Sequence, residues 1–304
     1  MTSTRSRRAA CEHAAALLVP LFACAAAQGD DAAPAQPADA AAPAEPTPES
    51  KAIGLQVNVD VTNAYFYRGI LQQDHGVIVQ PAAKLTLNLM TDGDFKLDAL
   101  VGTWNSFGDN AGTNTSALVE YWYESDLIAG FSLTKGKLSL TTTYTFLTSP
   151  SDAFQTVQEL DMTLAFDDSE YLGPFALHPY ALLAVETGAN ASDGADSNNG
   201  VYLELGVAPG FTFLIGETTV AVSFPMSVGL SLYDYYQDAA GNDSGFGFFQ
   251  AGARASLPLP FGERLGQWSL NAGVYGLFLG SQTAAFNGGD HDELIATVGV
   301  QVNF

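Results

Sequence analysis

The chain has 304 residues, 47% of them hydrophobic and only 14% charged, with 33 acidic residues against 11 basic and a formal net charge of −22. A soluble domain carries about 25% charged residues, so this chain is short of charge, and its acidic balance excludes nucleic acid, which needs a basic face. Mean hydropathy is only +0.10, because 30 glycines and many Thr, Ser and Asn dilute the apolar residues, as a wall facing lipid on one side and water on the other requires.

The chain opens on an export signal. Arg5, Arg7 and Arg8 form a basic n-region, Ala14 to Ala25 is apolar, and Ala25-Ala26-Ala27 is an A-x-A cleavage site. The apolar run falls short of the ~20 residues that span a bilayer as a helix. Cleavage after Ala27 removes three arginines and one glutamate, which deepens the negative charge, and removes both cysteines, Cys11 and Cys24. Disulfides and thiolate metal sites are then excluded. Leu21-Phe22-Ala23-Cys24 also resembles a lipoprotein box, with Phe22 atypical. Residues 28–51 are Ala/Pro-rich, acidic and free of aromatics. Such a segment buries too little apolar surface to offset its ordering entropy and reads as a periplasmic tether.

From Ile53 the pattern changes to period two. Leu55, Val57, Val59 and Val61 alternate with Gln56, Asn58, Asp60 and Thr62, and the run continues through Tyr65 and Tyr67. This is a strand with one apolar and one polar face. Twelve such segments follow one another: 53–68, 77–90, 95–106, 117–133, 137–148, 156–166, 178–187, 201–214, 218–235, 246–257, 267–279 and 292–304. The longest alternation, Val220 to Leu232, far exceeds an ordinary strand. An even count suits a bacterial single-chain barrel. The expected fold class is all-β: an antiparallel transmembrane β-barrel of twelve strands over 52–304, with both termini periplasmic. The connections agree. Loops 69–76, 107–116, 149–155, 188–200, 236–245 and 280–291 are polar and expected to face outward. Tight turns at Asp92-Gly93, Lys135-Gly136 and Gly216-Glu217 alternate with them, while 167–177 and 258–266 are longer than a periplasmic turn needs.

Aromatics collect near strand ends, where rings prefer the headgroup level. Tyr65, Phe66, Tyr67, Trp104, Phe107, Tyr144, Phe146, Tyr233, Tyr235 and Tyr236 are expected at the outer interface. Phe95, Phe211, Phe213, Trp268 and Phe304 are expected at the inner one. The last strand places Val298, Val300, Val302 and Phe304 in one phase, opposite Thr297, Gly299, Gln301 and Asn303. A final strand ending in an aromatic residue looks like the signal read by the outer-membrane assembly machinery.

The segment Val61-Thr62-Asn63-Ala64-Tyr65-Phe66-Tyr67-Arg68-Gly69-Ile70, followed by Gln72 and by Val79-Gln80, resembles the proteobacterial Gcw_chp family, which includes TorF-like proteins. Asn63 stands where that family usually has Ser, and Leu71 where it tends to have Ser. Gly102-Thr103-Trp104-Asn105-Ser106 looks like the family's third strand. The resemblance covers about a quarter of the chain and implies an outer-membrane barrel without implying an activity.

In this register the charges Asp60, Arg68, Lys84, Lys96, Asp98, Glu120, Glu124, Glu159, Asp161, Glu204 and Arg254 face the lumen. On the lipid face Lys or Arg would cost about 2–4 kcal/mol each at mid-bilayer. Arg68 is expected at the outer mouth, paired with a carboxylate such as Glu120 or Glu124. No cofactor or metal is expected: the Asp-rich loops lack the ordered spacing of a calcium site. No enzyme is expected either, since His75, His178 and His291 belong to no nucleophile motif. Two readings stand for the function. One is a narrow porin-like channel in the outer membrane for small polar or cationic solutes, drawn by an acidic lumen. The other is a non-conducting scaffold barrel in which charges pair across the lumen and the tether meets a partner. Outer-membrane lipid and the assembly machinery are the partners in either case.

Overall fold

The computed structural model describes residues 52–109, 112–114, 116, 119–193 and 200–304. The signal peptide (1–27) and the linker (28–51) lie outside the described residues. The strands are β1 (Ile53–Thr62), β2 (Tyr65–Tyr67), β3 (Ile70–Gln73), β4 (Ile78–Asp92), β5 (Phe95–Phe107), β6 (Trp122–Lys135), β7 (Leu138–Thr148), β8 (Val157–Phe166), β9 (Tyr180–Glu186), β10 (Val201–Val207), β11 (Gly210–Ile215), β12 (Thr218–Ser223), β13 (Met226–Tyr233), β14 (Phe246–Leu259), β15 (Gln267–Leu279) and β16 (Asp292–Asn303). Two short helices are α1 (Ser169–Leu172) and α2 (Ser281–Phe286).

All strands except β2 and β3 belong to one antiparallel sheet. It closes where β16 pairs with β1, from Gln56 opposite Asn303 to Thr62 opposite Thr297. The backbone of Phe304 extends this seam by donating to the Leu55 carbonyl at 2.9 Å. Counting β10–β11 and β12–β13 as one interrupted strand each, the wall is a closed barrel of twelve strands. Closure leaves no unpaired edge, which is the condition for backbone in lipid.

The interruptions have a covalent cause. Proline has no N–H to give the ladder, and Pro209 and Pro225 sit one at each gap, Pro209 opposite Phe224 and Pro225 opposite Ala208 where the register of the flanking strands is continued. The Phe224 N–H still reaches the Pro209 carbonyl at 2.7 Å, and Gly252 N–H reaches Pro225 at 3.0 Å. The long runs expected at 201–214 and 218–235 are therefore bent pairs. The segment expected at 117–133 begins only at Trp122. At the termini end the tight turns use Gly93, Gly136 and Gly216, all at positive φ. The longer 167–177 connection is tied by Asp168, which accepts backbone N–H bonds from Leu177 and His178. Burial raises the pKa of that carboxyl, but these donors outweigh it and hold it below its ordinary value.

The outward face is apolar and open to the surroundings. Val59, Val101, Leu127, Phe131, Leu140, Leu164, Leu205, Phe249, Phe278 and Leu294 are exposed around the circumference. In water, patches of this size mark an interface; a continuous belt on a closed barrel matches a lipid contact. Val298, Val300 and Phe304 belong to this face, whereas Val302 is 6% exposed. Val302 keeps the outward phase but is covered where the chain passes at Gly266.

The largest departure from the sequence pattern is at the end of β1. The expected strand 53–68 leaves the wall after Thr62. Asn63 makes this possible. Its backbone N–H donates to the Ala296 carbonyl at 3.0 Å. Its side-chain amide donates to the Leu294 carbonyl at 2.9 Å and accepts from the Ala296 N–H. One side chain thus takes over ladder bonds to β16 while the backbone turns inward. The chain then folds into a hairpin, β2 against β3, inside the barrel. Segment 69–76, expected as an outward loop, supplies half of that hairpin.

Candidate functional site: an internal plug and a polar cavity

The hairpin fills the lumen at the end of the barrel remote from the termini. Tyr65 is 0% exposed, and Phe66, Tyr67 and Ile70 are buried with it. Phe66 and Ile70 pack with Tyr202, Tyr235, Tyr236, Phe248, Tyr275 and Leu277, joined by Ala284 of α2. Tyr65 and Tyr67 pack on the other side with Ile78, Trp104, Tyr123 and Leu147. Six rings expected at the outer lipid interface (Tyr65, Phe66, Tyr67, Trp104, Tyr235 and Tyr236) therefore lie inside. The reason is steric. An alternating strand hides only one face, but a hairpin enclosed by a barrel hides both, so consecutive aromatics are all accommodated.

Arg68 sits at the tip of this hairpin, at φ 48, followed by Gly69 at φ 80. Only glycine fits the second position, because a Cβ there would lie 2.8 Å from the Phe248 ring. Arg68 is 2% exposed. Its guanidinium bridges two wall residues of β8, contacting Glu159 Oε2 at 2.8 Å and Asp161 Oδ1 at 3.0 Å. Nη1 also donates to Glu159 Oε1 at 2.9 Å and to the Tyr235 hydroxyl at 3.0 Å. The expected partners Glu120 and Glu124 are not used, because the hairpin carries Arg68 away from the strand on which it was placed. Tyrosines complete the cage. The Tyr67 hydroxyl donates to Glu159 Oε2 at 2.5 Å, and the Tyr236 hydroxyl to the Arg68 carbonyl at 2.8 Å. The guanidinium carbon lies 4.6 Å from the Tyr202 ring centre and 4.9 Å from that of Tyr67. A planar cation satisfied by two carboxylates and stacked on rings is the arrangement for which Arg, not Lys, is suited.

Other expected lumen charges are distributed by depth. Glu204 is bound by the Tyr180 and Tyr202 hydroxyls, at 2.5 Å each. Glu124 is buried on β6, as is Asp126, which shares its phase and joins the lumen charges that alternation predicts. Glu186 on β9 is also buried, accepting the Ser192 N–H at 2.6 Å. Glu120 lies in the turn before β6, not on the wall. Glu124, Asp126, Glu159, Asp161, Glu186 and Glu204 thus lie at plug level, apart from Asp60 and Asp98.

Toward the termini the barrel interior opens into a cavity of about 490 Å³, lined by Asp60, Lys84, Lys96, Asp98 and Arg254 among polar side chains. Trp104 forms its floor, and the same ring meets Tyr65 of the plug at 5.0 Å between centres. Lys96 pairs with Asp98 at 2.8 Å, and Asp60 accepts from Asn58 at 2.7 Å. Five of the expected lumen charges therefore share one compartment, and Arg68, Glu159 and Asp161 share another. The depth at which each charge sits was not readable from period two, which gives only the face.

No family model matches the chain, and no curated protein matches it. Among solved structures it is similar to the β-domain of the Bordetella autotransporter BrkA, at 14% identity and TM-score 0.44, over 83% of this chain and 99% of that one. It is similar to the NanC porin, at 12% identity and TM-score 0.40, over 82% and 98%. It is also similar to an outer membrane channel from Pseudomonas putida F1, at 10% identity and TM-score 0.44, over 83% and 94%. These are likenesses of barrel architecture alone, and the similarity to the Gcw_chp family stays a resemblance carried by the segments at 61–80 and 102–106.

Proposed function

We propose that this chain is an outer-membrane barrel that passes small polar solutes through a lumen held shut by the β2–β3 hairpin. The observation that carries the reading is the contrast along the axis. Half of the interior is a polar cavity, and the other half is stopped by a hairpin that contributes nothing to the wall. The hairpin is separate from the wall ladder, and among the described residues its one charged hold on the wall is Arg68 on Glu159 and Asp161, so release of that hold is the step that would open the lumen. Outer-membrane placement is supported by the apolar belt, by the export signal at 1–27, and by the phase of Val298, Val300 and Phe304. Those residues are what the assembly machinery would read.

Planar-bilayer recording of the purified, folded protein tests this. Wild type should conduct rarely and Arg68→Ala several-fold more, because removing one partner of a buried ion pair costs about 3–5 kcal/mol and that cost falls on the plugged state. Silence from both proteins would sink the channel reading and leave a non-conducting envelope barrel.

A further inference from the structure

We propose that the cavity on the termini side of Trp104 is a binding site for a small solute bearing an oxyanion, a carboxylate or a phosphate, with Lys84 and Arg254 as its charge partners. The sequence predicts attraction of cations, because the lumen face carries more carboxylates than cations. Depth reverses this. The plug level holds Glu124, Asp126, Glu159, Asp161, Glu186 and Glu204, all buried. The cavity lining holds three of the four interior cations against only Asp60 and Asp98.

Within the cavity, charges are not matched in pairs. Lys96 and Asp98 neutralise each other at 2.8 Å. Asp60 is met by the Asn58 amide and, at longer range, by Arg254. Among the described residues neither Lys84 nor Arg254 has an ion pair or a hydrogen bond to its side chain. Lys84 on β4 and Arg254 on β14 project from well-separated parts of the wall into the same space. An ammonium offers three N–H donors and a guanidinium five, so the cavity presents donor capacity that the protein itself leaves unused. The volume of about 490 Å³ lies in the range of small-molecule sites. The Ser139 hydroxyl, and whichever of the mutually bonded Ser132 and Thr141 hydroxyls keeps its proton free, can donate to the remaining oxygens of a small organic acid. Lys84 and Arg254 are thus the charged side-chain donors that a solute entering the cavity meets unbonded.

This inference deepens the channel reading by assigning the charge of the solute, but binding is measurable on the closed barrel, so failure to conduct leaves it standing. Isothermal titration of the folded, detergent-solubilised protein with succinate, inorganic phosphate and putrescine tests it. Succinate or phosphate should bind and putrescine should not, and which anion binds assigns the oxyanion. Lys84→Gln and Arg254→Gln should each weaken binding about tenfold, the loss expected for a charged hydrogen-bonding partner. Arg254→Lys should retain part of it, and Lys135→Gln, at an exposed turn, should change nothing. Heat-modifiable migration on gels verifies that each variant remains folded. Absence of anion binding by wild type, undiminished binding by a folded Lys84→Gln/Arg254→Gln double variant, or binding of putrescine in place of the anions overturns the proposal.

Discussion

Arg68 concentrates the energetics of the plug in a single side chain. Its partners Glu159 and Asp161 are each almost fully enclosed, so none of the three can fall back on water when another is removed. Glu159→Gln and Arg68→Met should each destabilise the folded barrel by about 3 kcal/mol. The double variant should cost markedly less than their sum, since it removes both charges together. Urea unfolding followed by intrinsic fluorescence measures the cycle; additive losses would mean that the pair is not coupled. The sequence identified Arg68, Glu159 and Asp161 as interior but not as partners. Alternation tells which face a residue occupies while the strand stays in the wall. It carries no information once Asn63 substitutes its side chain for the backbone and the chain turns in. The one local hint was the unbroken aromatic run Tyr65-Phe66-Tyr67 before Gly69, which no half-buried strand needs. Residues 61–80 and 102–106, which carry the family resemblance, meet in the plug: Trp104 against Tyr65, and the Ser106 hydroxyl on Gln73 at 2.5 Å.

At the scale of elements, the wall was the legible part. Eleven of the twelve expected segments begin within two residues of a strand, because burial of one face forces period two on each of them. The exception is 117–133, where Val119 and Tyr121 ahead of Trp122 continue the apolar pattern but lie in a turn. The gaps at Pro209 and Pro225 leave no mark on the alternation, because proline preserves the hydrophobic phase while breaking the ladder. β16 offers a direct test of phase. Val300 is outward and 37% exposed, whereas its neighbour Gln301 lines the cavity. Val300→Arg should destabilise the barrel in lipid by about 2–4 kcal/mol, while Gln301→Arg should be close to neutral. Refolding equilibria in phosphatidylcholine vesicles report both. Equal costs would remove the basis for assigning this face to lipid.

For the molecule as a whole, wall and plug are two structures with different grounds for stability. The wall is a continuous ladder, and β1 and β16 close it by a seam of paired backbone. The plug has only three paired positions between β2 and β3 and depends on rings and one ion cluster. Local stability follows such differences, so a protein can open one part while the rest stays folded. In wild type the amides of 65–73 should exchange slowly, because they are enclosed on all sides, although fewer of them are laddered. In Arg68→Ala that segment should exchange faster by an order of magnitude or more, with the strands on either side of the seam unchanged. Hydrogen exchange read by mass spectrometry separates the two. Acceleration spread evenly through β1, β4 and β16 would show that plug and wall open together, and a lumen that clears only by unfolding its own wall does not gate. Acceleration confined to the hairpin would give the barrel an internal door, and the cavity beyond Trp104 would then be the space into which it opens.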